Sequence, residues 1–285
     1  MADPLLTLDA DQQVSAVQKN TPQNDRWRAG QIAPHRGHPF TLVIVADGEG
    51  SDKAGDSANQ AIEIAFAEAE LRRDDPLPRL LKHLVHQMNE VIAQRGTGDT
   101  AGVTLAAIQG DEAWLVQAGR QTRCYQVRGE RSVTVSTEDN EHFLGRGSPA
   151  PELEPVSHRL KRGDKLIFCT DGLFAGDLVK SAELAKIYRY QDVKGAARHL
   201  SATAMGRNVN DNVTVVVAAY GRRRGWPLRV LAFDVLGVIL AILIVTSLGT
   251  FIANYARVLP RPPDLGIAVL AEGAAAEVEQ FQTIY

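Results

Sequence analysis

The stretch 40-FTLVIVADGEGSDKAGDSA-58 combines a long apolar run with a polar, glycine-containing segment. Its first part, 40-FTLVIVA-46, has the composition of a buried strand, and it ends in Asp47 and Gly48 before a run of small and charged residues. A carboxylate at the end of a buried strand loses hydration and needs a partner there. The remaining sequence indicates which residues could share its position.

The overall composition is that of a globular protein. With 285 residues, 45% of them hydrophobic, the chain can bury a substantial core. The formal net charge of -3 gives no reason to expect nucleic acid as a partner. Cys124 and Cys169 each lie in an apolar run without C-x-x-C spacing, which is typical of buried thiols and not of a disulfide or a zinc site.

One segment is long and apolar enough to cross a membrane. Residues 230–253 contain a single charged residue, Asp234, and their length fits a bilayer core of about 30 Å. A buried core helix is the alternative, although such helices are usually shorter and carry a polar stripe. Four arginines in the basic linker 222–229 precede the segment, so the positive-inside bias predicts a cytoplasmic N-terminal part and an external tail, 254–285. We expect a single-pass protein of the cell membrane.

The part before the linker contains strand and helix patterns. Residues 1–12 are polar and are expected to form a loose arm, and residues 13–221 to form one domain. Helical spacing of apolar residues predicts helices over 57–73, 79–95 and 193–206. The predicted strands lie at 40–46, 102–108, 113–118, 123–127, 131–136, 165–170 and 213–220. Short turns between several of them imply hairpins, which predicts an α+β fold: an antiparallel β-sandwich flanked by helices on both sides.

Three aspartates share one position relative to the strands. Asp47 and Asp171 each follow an apolar run and precede a glycine, and Asp211 immediately precedes the last run. Any one of them alone is more often a turn former. Together at one sheet edge they would repel one another, and such clusters usually bind a hard cation through oxygen ligands.

Six short motifs then occur in a familiar order. They are 23-QND-25, 47-DGEGS-51, 98-GDTAGVTLAAI-108, 137-TEDN-140 with 144-LG-145, 170-TDG-172 and 211-DNVT-214. With them the chain resembles, from about residue 14 to 220, the metal-dependent protein phosphatases, called type 2C serine/threonine phosphatases. It is similar to a divergent bacterial-type member that carries a C-terminal transmembrane helix.

The resemblance implies two Mg2+ or Mn2+ ions and names their ligands. Asp47 would bridge the ions and the Gly48 carbonyl would bind one of them, while Asp171 and Asp211 would complete one ion. Asp25 would act on the other ion, directly or through water, and Asp139 matches an acid that helps hold a third, weaker ion in many members. A water between the two ions would attack the phosphorus, with Asp47, Asp171 and Asp211 as the catalytic set.

Several positions depart from the family pattern. Asn20 stands where the family has an arginine that grips the substrate phosphate, and Asn24 stands where it has an acid. The adjacent Lys19 is a candidate substitute for the arginine, but a lysine lacks the bidentate grip of a guanidinium. The family's G-D-S-R is replaced by 119-GRQTRCY-125, and Glu49 and Ser51 differ from the usual residues of the bridging motif. Glu49 would either hinder phosphate binding or help retain a cation.

Two functions remain open at this point. The first is a membrane-anchored, metal-dependent phosphatase that hydrolyses phosphoserine or phosphothreonine on cytoplasmic proteins. The alternative is a weakened or inactive pseudophosphatase that serves as a regulatory or binding module at the membrane. The tail 264–285 has helix-forming residues and is a candidate contact for a membrane-protein partner.

Overall fold

The computed structural model describes residues 6–13, 23–35, 37–95, 98–137, 141–147, 149–177, 179–189, 193, 195–207, 210–221, 246–251 and 254. The chain divides into two units, Met1–Arg223 and Arg224–Tyr285. The division falls inside 222–229, the basic linker of the sequence analysis.

The first unit contains strands and helices in mixed order. Its strands are β1 Thr7–Gln13, β2 Asp25–Ile32, β3 Phe40–Glu49, β4 Thr100–Gln109, β5 Glu112–Ala118, β6 Thr122–Arg128, β7 Arg131–Thr134, β8 Val156–Arg159, β9 Lys165–Thr170 and β10 Val213–Ala219. Its α-helices are α1 Ala54–Leu71, α2 Leu77–Gln94, α3 Asp171–Phe174, α4 Ser181–Lys186 and α5 Ala196–Met205, and 3-10 turns cover Ala175–Asp177 and Ile187–Arg189. The long helices and central strands lie where the apolar periodicity predicts them.

The strands form two five-stranded antiparallel sheets. The order is β1-β10-β9-β6-β7 in the first sheet and β2-β3-β4-β5-β8 in the second. Tight hairpins connect neighbours such as β4 and β5, where Gln109 pairs with Glu112 and Gly110 takes the left-handed conformation with φ 56°. The predicted α+β class with antiparallel sheets is confirmed.

Three hydrophobic layers hold the two sheets and the helices together. Val43 on β3 and Phe168 on β9 belong to the cluster between the sheets. Ile44 on β3 packs in a second cluster with residues of α1 and α2, and Val215 on β10 packs in a third with residues of α5. Because β3 is buried on both faces, its sequence is a continuous apolar run with no alternation.

The N-terminal residues differ from the expected loose arm. Residues 7–13 form β1, which pairs antiparallel with β10 from Thr7 opposite Ala219 to Gln13 opposite Val213. β2 and β8 were also not predicted as strands. All three are edge strands, and an edge strand pairs on one side only, so it does not need the apolar run by which a central strand is recognised.

The second unit is described at residues 246–251 and 254, of which 246–251 are helical and exposed. Within the described part of the chain, no helix combines the length and the apolar character that a membrane crossing requires. Of the predicted span, residues 230–245 and 252–253 lie outside the described residues. The transmembrane helix therefore stays a prediction.

Candidate functional site

The topology brings four of the predicted acids to one end of the sandwich. Asp25 begins β2 and lies opposite Asp47 of β3 in the antiparallel register. Asp171 follows β9 and Asp211 precedes β10, and these two strands are neighbours in the other sheet. Each sheet thus contributes two carboxylates to the same cluster.

The electrostatics of this cluster are strained. Burial raises the pKa of Asp47 well above its ordinary range, and the carboxylates of Asp25, Asp171 and Asp211 raise it further. Burial, with Asp211 next in effect, raises the pKa of Asp171 to about 6. Burial also raises the pKa of Asp25 to about 7, against the lowering effect of a hydrogen bond from Thr170. A bound cation would relieve this repulsion.

Asp25 lies deeper than the other three acids. Its exposed fraction is 1%, and its Oδ2 accepts a hydrogen bond of 2.8 Å from the Thr170 hydroxyl. The same hydroxyl oxygen accepts the Thr214 backbone N–H at 3.0 Å. Beside Asp25, the Asn24 side-chain oxygen accepts the Gly55 N–H at 3.2 Å. Asp25 is therefore a buried support behind the cluster, and Asn24 ties β2 to the start of α1.

Two glycines allow the acid-bearing loops to pack closely. A Cβ on Gly48 would lie 2.8 Å from the Ala54 carbonyl oxygen, and one on Gly172 would lie 2.0 Å from the Asn212 carbonyl oxygen. In the structure they allow close approach of the chain to itself, which holds the loop of Asp171 against that of Asp211.

Asp99 is a buried acid that the sequence reasoning did not single out. It is 1% exposed, its Oδ1 accepts the Ser51 backbone N–H at 2.9 Å, and its Oδ2 accepts the Ser57 hydroxyl at 2.8 Å. These bonds join the loop after Asp47 to the first turns of α1. The sequence signal for it is an aspartate directly before a strand, in 98-GDTAG-102.

A cleft of about 620 Å³ opens beside the cluster. Its walls include Asp47, Glu49, Arg120, Arg123, Asp171 and Asp211. The two arginines belong to 119-GRQTRCY-125, the stretch that replaces the family's G-D-S-R. The Glu49 carboxylate lies at the same wall and accepts a hydrogen bond of 3.0 Å from Gln121 Nε2. Cations and carboxylates therefore line one cavity.

The remaining predictions concern Asp139, Asn20 and the two cysteines. Asp139, the candidate for a third ion, and Asn20, at the position of the family's arginine, fall outside the described residues. Cys124 and Cys169 are buried free thiols, as predicted. They belong to different hydrophobic clusters.

The acids of the cleft fit a divalent cation in chemistry. Asp171 Oδ1 is buried and has no hydrogen-bond partner among the described residues, so one carboxylate oxygen is available as a ligand. Oxygen ligands from aspartates, backbone carbonyls and water are those that Mg2+ and Mn2+ accept. Among the described residues, no three or more acidic, histidine or cysteine side chains already form a metal-binding group. Any ion held here would need ligands beyond these side chains, such as carbonyl oxygens and water.

Comparison with solved structures shows the same fold. The catalytic domain of the serine/threonine protein phosphatase PstP, in complex with two manganese ions, matches with a TM-score of 0.63 and 24% identity over 76% of this chain and 99% of that chain. The Mycobacterium tuberculosis phosphatase PstP/Ppp matches with a TM-score of 0.63, 23% identity and the same shares of both chains. The phosphatase domain of SpoIIE from Bacillus subtilis, with a fragment of its regulatory domain, has a TM-score of 0.57 and 19% identity over 77% of this chain and 64% of that chain.

Comparison of sequences gives the family. No curated protein matches the chain. The model of the Stage II sporulation protein E (SpoIIE) family, however, matches residues 40–221. This range takes up more than half of the chain and contains Asp47, Asp171 and Asp211, the three aspartates of the cleft. The chain therefore belongs to the SpoIIE family, and its first unit has the fold of the type 2C phosphatases.

Proposed function

We propose that the chain is a metal-dependent phosphatase that hydrolyses phosphoserine or phosphothreonine on cytoplasmic proteins. One observation carries the proposal: Asp47, Asp171 and Asp211 reach one open cleft from two sheets. Mutually repelling carboxylates destabilise a fold unless a bound cation neutralises them. Two cations held by oxygen ligands at an open cleft fit metal-assisted phosphate hydrolysis.

The ions would be held by residues of both sheets. Asp47 and the Gly48 carbonyl on β3 would bind them together with Asp171 and Asp211, and Asp25, opposite Asp47 on β2, would act on the other ion directly or through water. When bound, two Mg2+ or Mn2+ ions supply the Lewis acidity that activates water and neutralises phosphoryl charge. The PstP catalytic domain, which shares the fold, was crystallised with two manganese ions. Asp139 would add a ligand to a third ion.

The residues of the cleft favour direct attack by water. Among the described residues that line it there is no serine, threonine, cysteine or histidine that could serve as a nucleophile. The polar side chains present are carboxylates, amides and arginines, which bind ions and orient a phosphate. This composition supports attack by water over a covalent intermediate on a hydroxyl, thiol or imidazole group.

Phosphatase assays on the full-length protein test the proposal. With Mn2+ and a phosphothreonine peptide, Asp47→Asn and Asp171→Asn should each lower kcat by more than about 100-fold, because even outer partners of metal ligands are worth about 10- to 100-fold. Asp111→Asn is the matched control, since Asp111 lies on the surface with Arg159 as its partner at 3.1 Å. A wild-type protein that binds Mn2+ but releases no phosphate from peptides or aryl phosphates would support a binding module in place of the enzyme.

We further propose that residues 230–253 anchor the protein in the cell membrane with the phosphatase domain in the cytoplasm. The length and apolar character of the segment and the arginines before it support this arrangement. Ile242→Arg would place a charge near the middle of the span, at a cost of about 2.5 to 3.5 kcal/mol. Cell fractionation should then find less protein in the membrane pellet. Equal recovery of wild type and variant in the supernatant would contradict the anchor.

A further inference from the structure

Two positively charged side chains of the cleft are not among the candidate metal ligands. Arg120 lies in the turn between β5 and β6, and Arg123 lies on β6. Both line the cleft with Asp47, Asp171 and Asp211. A phosphate monoester carries about two negative charges near neutral pH. The carboxylates repel such a group. Bound metal ions would neutralise part of its charge, and the two arginines would add positive charge from the chain itself.

Arg123 is held in place before any ligand arrives. Its guanidinium lies 4.1 Å from the ring centroid of Phe174, and Phe174 is the last residue of the helix that Asp171 begins. Its Nη1 lies 3.5 Å from the Tyr125 hydroxyl, while its Nε is buried without a hydrogen-bond partner among the described residues. A stacked, partly unsatisfied guanidinium loses little side-chain entropy when it binds an anion.

Arg120 is placed differently, at the exposed rim of the cleft. Its side chain forms no ion pair or hydrogen bond within the described residues. The turn that carries it is fixed by Gly119, which takes φ 73° and lies so close to β4 that a Cβ would be 2.9 Å from the Gly102 Cα. The rim position of Arg120 is therefore defined by the backbone, while its side chain stays available to a ligand.

We propose that Arg123 and Arg120 form the phosphate-binding site of the cleft, with Arg123 as the fixed ligand of the phosphoryl oxygens and Arg120 as the rim cation. This inference rests on the proposed function, and it assigns the role of the family's missing arginine to the β5–β6 turn. A guanidinium offers two parallel N–H groups to two phosphate oxygens, which a lysine cannot do. Residues 119–123 would then supply the phosphate-binding arginine that is absent at position 20.

Binding of inorganic phosphate to the full-length, Mn2+-loaded protein tests the site without requiring turnover. Titration calorimetry should show a phosphate Kd raised about 10- to 100-fold in Arg123→Ala, the range of a lost charge-assisted hydrogen bond. Arg123→Lys keeps the charge and should fall between the wild type and Arg123→Ala. Arg120→Ala should raise the Kd by about two- to fivefold, as expected for an exposed charge. Arg131→Ala, an exposed arginine on β7 outside the cleft, should leave the Kd unchanged.

The affinity for Mn2+ separates phosphate binding from a structural role. It should stay within about twofold of wild type in Arg123→Ala, since no metal ligand is removed. If Arg123→Ala binds phosphate as tightly as wild type, or if Arg123→Lys loses phosphate and Mn2+ together, Arg123 only packs on Phe174 and the inference is wrong. The proposed function is judged separately. If the wild type binds phosphate through Arg123 but hydrolyses no phosphopeptide, the phosphate-binding site is supported and the phosphatase activity is contradicted.

Discussion

Thr170 donates its hydroxyl hydrogen to Asp25 Oδ2 over 2.8 Å and so joins the last residue of β9 to the first residue of β2, in the other sheet. The bond lies in a fully buried position directly behind the acids of the cleft. It lowers the pKa of Asp25 against the larger effect of burial. The two halves of the candidate metal site are thus connected beneath the cleft as well as across it.

Replacing Thr170 by valine should show how much this hydrogen bond contributes to stability and to Mn2+ binding. Thr170→Val keeps the shape of the side chain but removes the hydroxyl that donates to the buried Asp25 carboxylate and accepts the Thr214 N–H. We expect a loss of about 1 to 3 kcal/mol in the free energy of unfolding, measured by urea denaturation, together with weaker Mn2+ binding. Thr170→Ser retains the hydroxyl and is the control. Equal stability of the valine and serine variants would show that the inter-sheet bond contributes little.

The raised pKa values predict an unusual pH dependence for the metal-free protein. The pKa of Asp25 is raised to about 7 and that of Asp171 to about 6, so between pH 5 and 8 the folded state holds protons that the unfolded state has released. The free energy of unfolding should therefore decrease as the pH rises through this window. The total decrease should be on the order of a few kcal/mol, since a shift of the pKa by one unit corresponds to about 1.4 kcal/mol.

Thermal unfolding at pH 5, 6, 7 and 8 with and without Mn2+ measures this dependence. The metal-free Tm should fall toward pH 8, and saturating Mn2+ should stabilise most at pH 8, where the carboxylates are ionised without competition from protons. Asp47→Asn removes one member of the cluster and should flatten the metal-free profile. A metal-free Tm that rises from pH 5 to pH 8 would contradict the repulsive cluster.

The parts of the fold that the sequence predicts are those in which burial and periodicity agree. β3 is buried on both faces, and the β-branched, apolar run 40-FTLVIVA-46 is typical of such a strand. β1, with the sequence TLDADQQ, is a strand only because β10 offers it a free edge. Pairing to an edge is a tertiary event that leaves little trace in the local sequence.

The site divides in the same way. Asp47, Asp171 and Asp211 could be found because strand ends are visible in the sequence and an acid there is conspicuous. Arg120 and Arg123 could not be assigned to the cleft, since their place depends on how the β5–β6 turn meets the loop after β9. Positions defined by contact between distant loops need the structure.

Gly172 should be intolerant of any side chain. A Cβ at this position would lie 2.0 Å from the Asn212 carbonyl oxygen, which is backbone and cannot rotate away. Gly172→Ala should therefore separate the loops of Asp171 and Asp211, with a loss of about 1 to 3 kcal/mol in stability from the overpacking and a larger loss of Mn2+ affinity. Gly206→Ala is the control, because its Cβ would meet nothing nearer than the Ala202 oxygen at 3.3 Å. If Gly172→Ala kept wild-type Mn2+ binding, the close packing of the two loops would not matter for the site.

Glu49 is the departure from the family pattern whose effect the structure allows to be predicted. Its carboxylate lies on the cleft wall and accepts the Gln121 amide at 3.0 Å, one residue from Arg120. Glu49→Gln removes a negative charge and retains an acceptor for Gln121, so the KM for a phosphothreonine peptide should decrease by about two- to fivefold, the range of one exposed charge interaction. The decrease should shrink as NaCl is raised from 50 to 500 mM, because salt screens exposed charges.

Glu112→Gln, on the exposed start of β5, controls for a general change in surface charge. The opposite result, a raised KM with weaker Mn2+ binding, would mean that Glu49 helps to retain a cation and would reverse the assigned role.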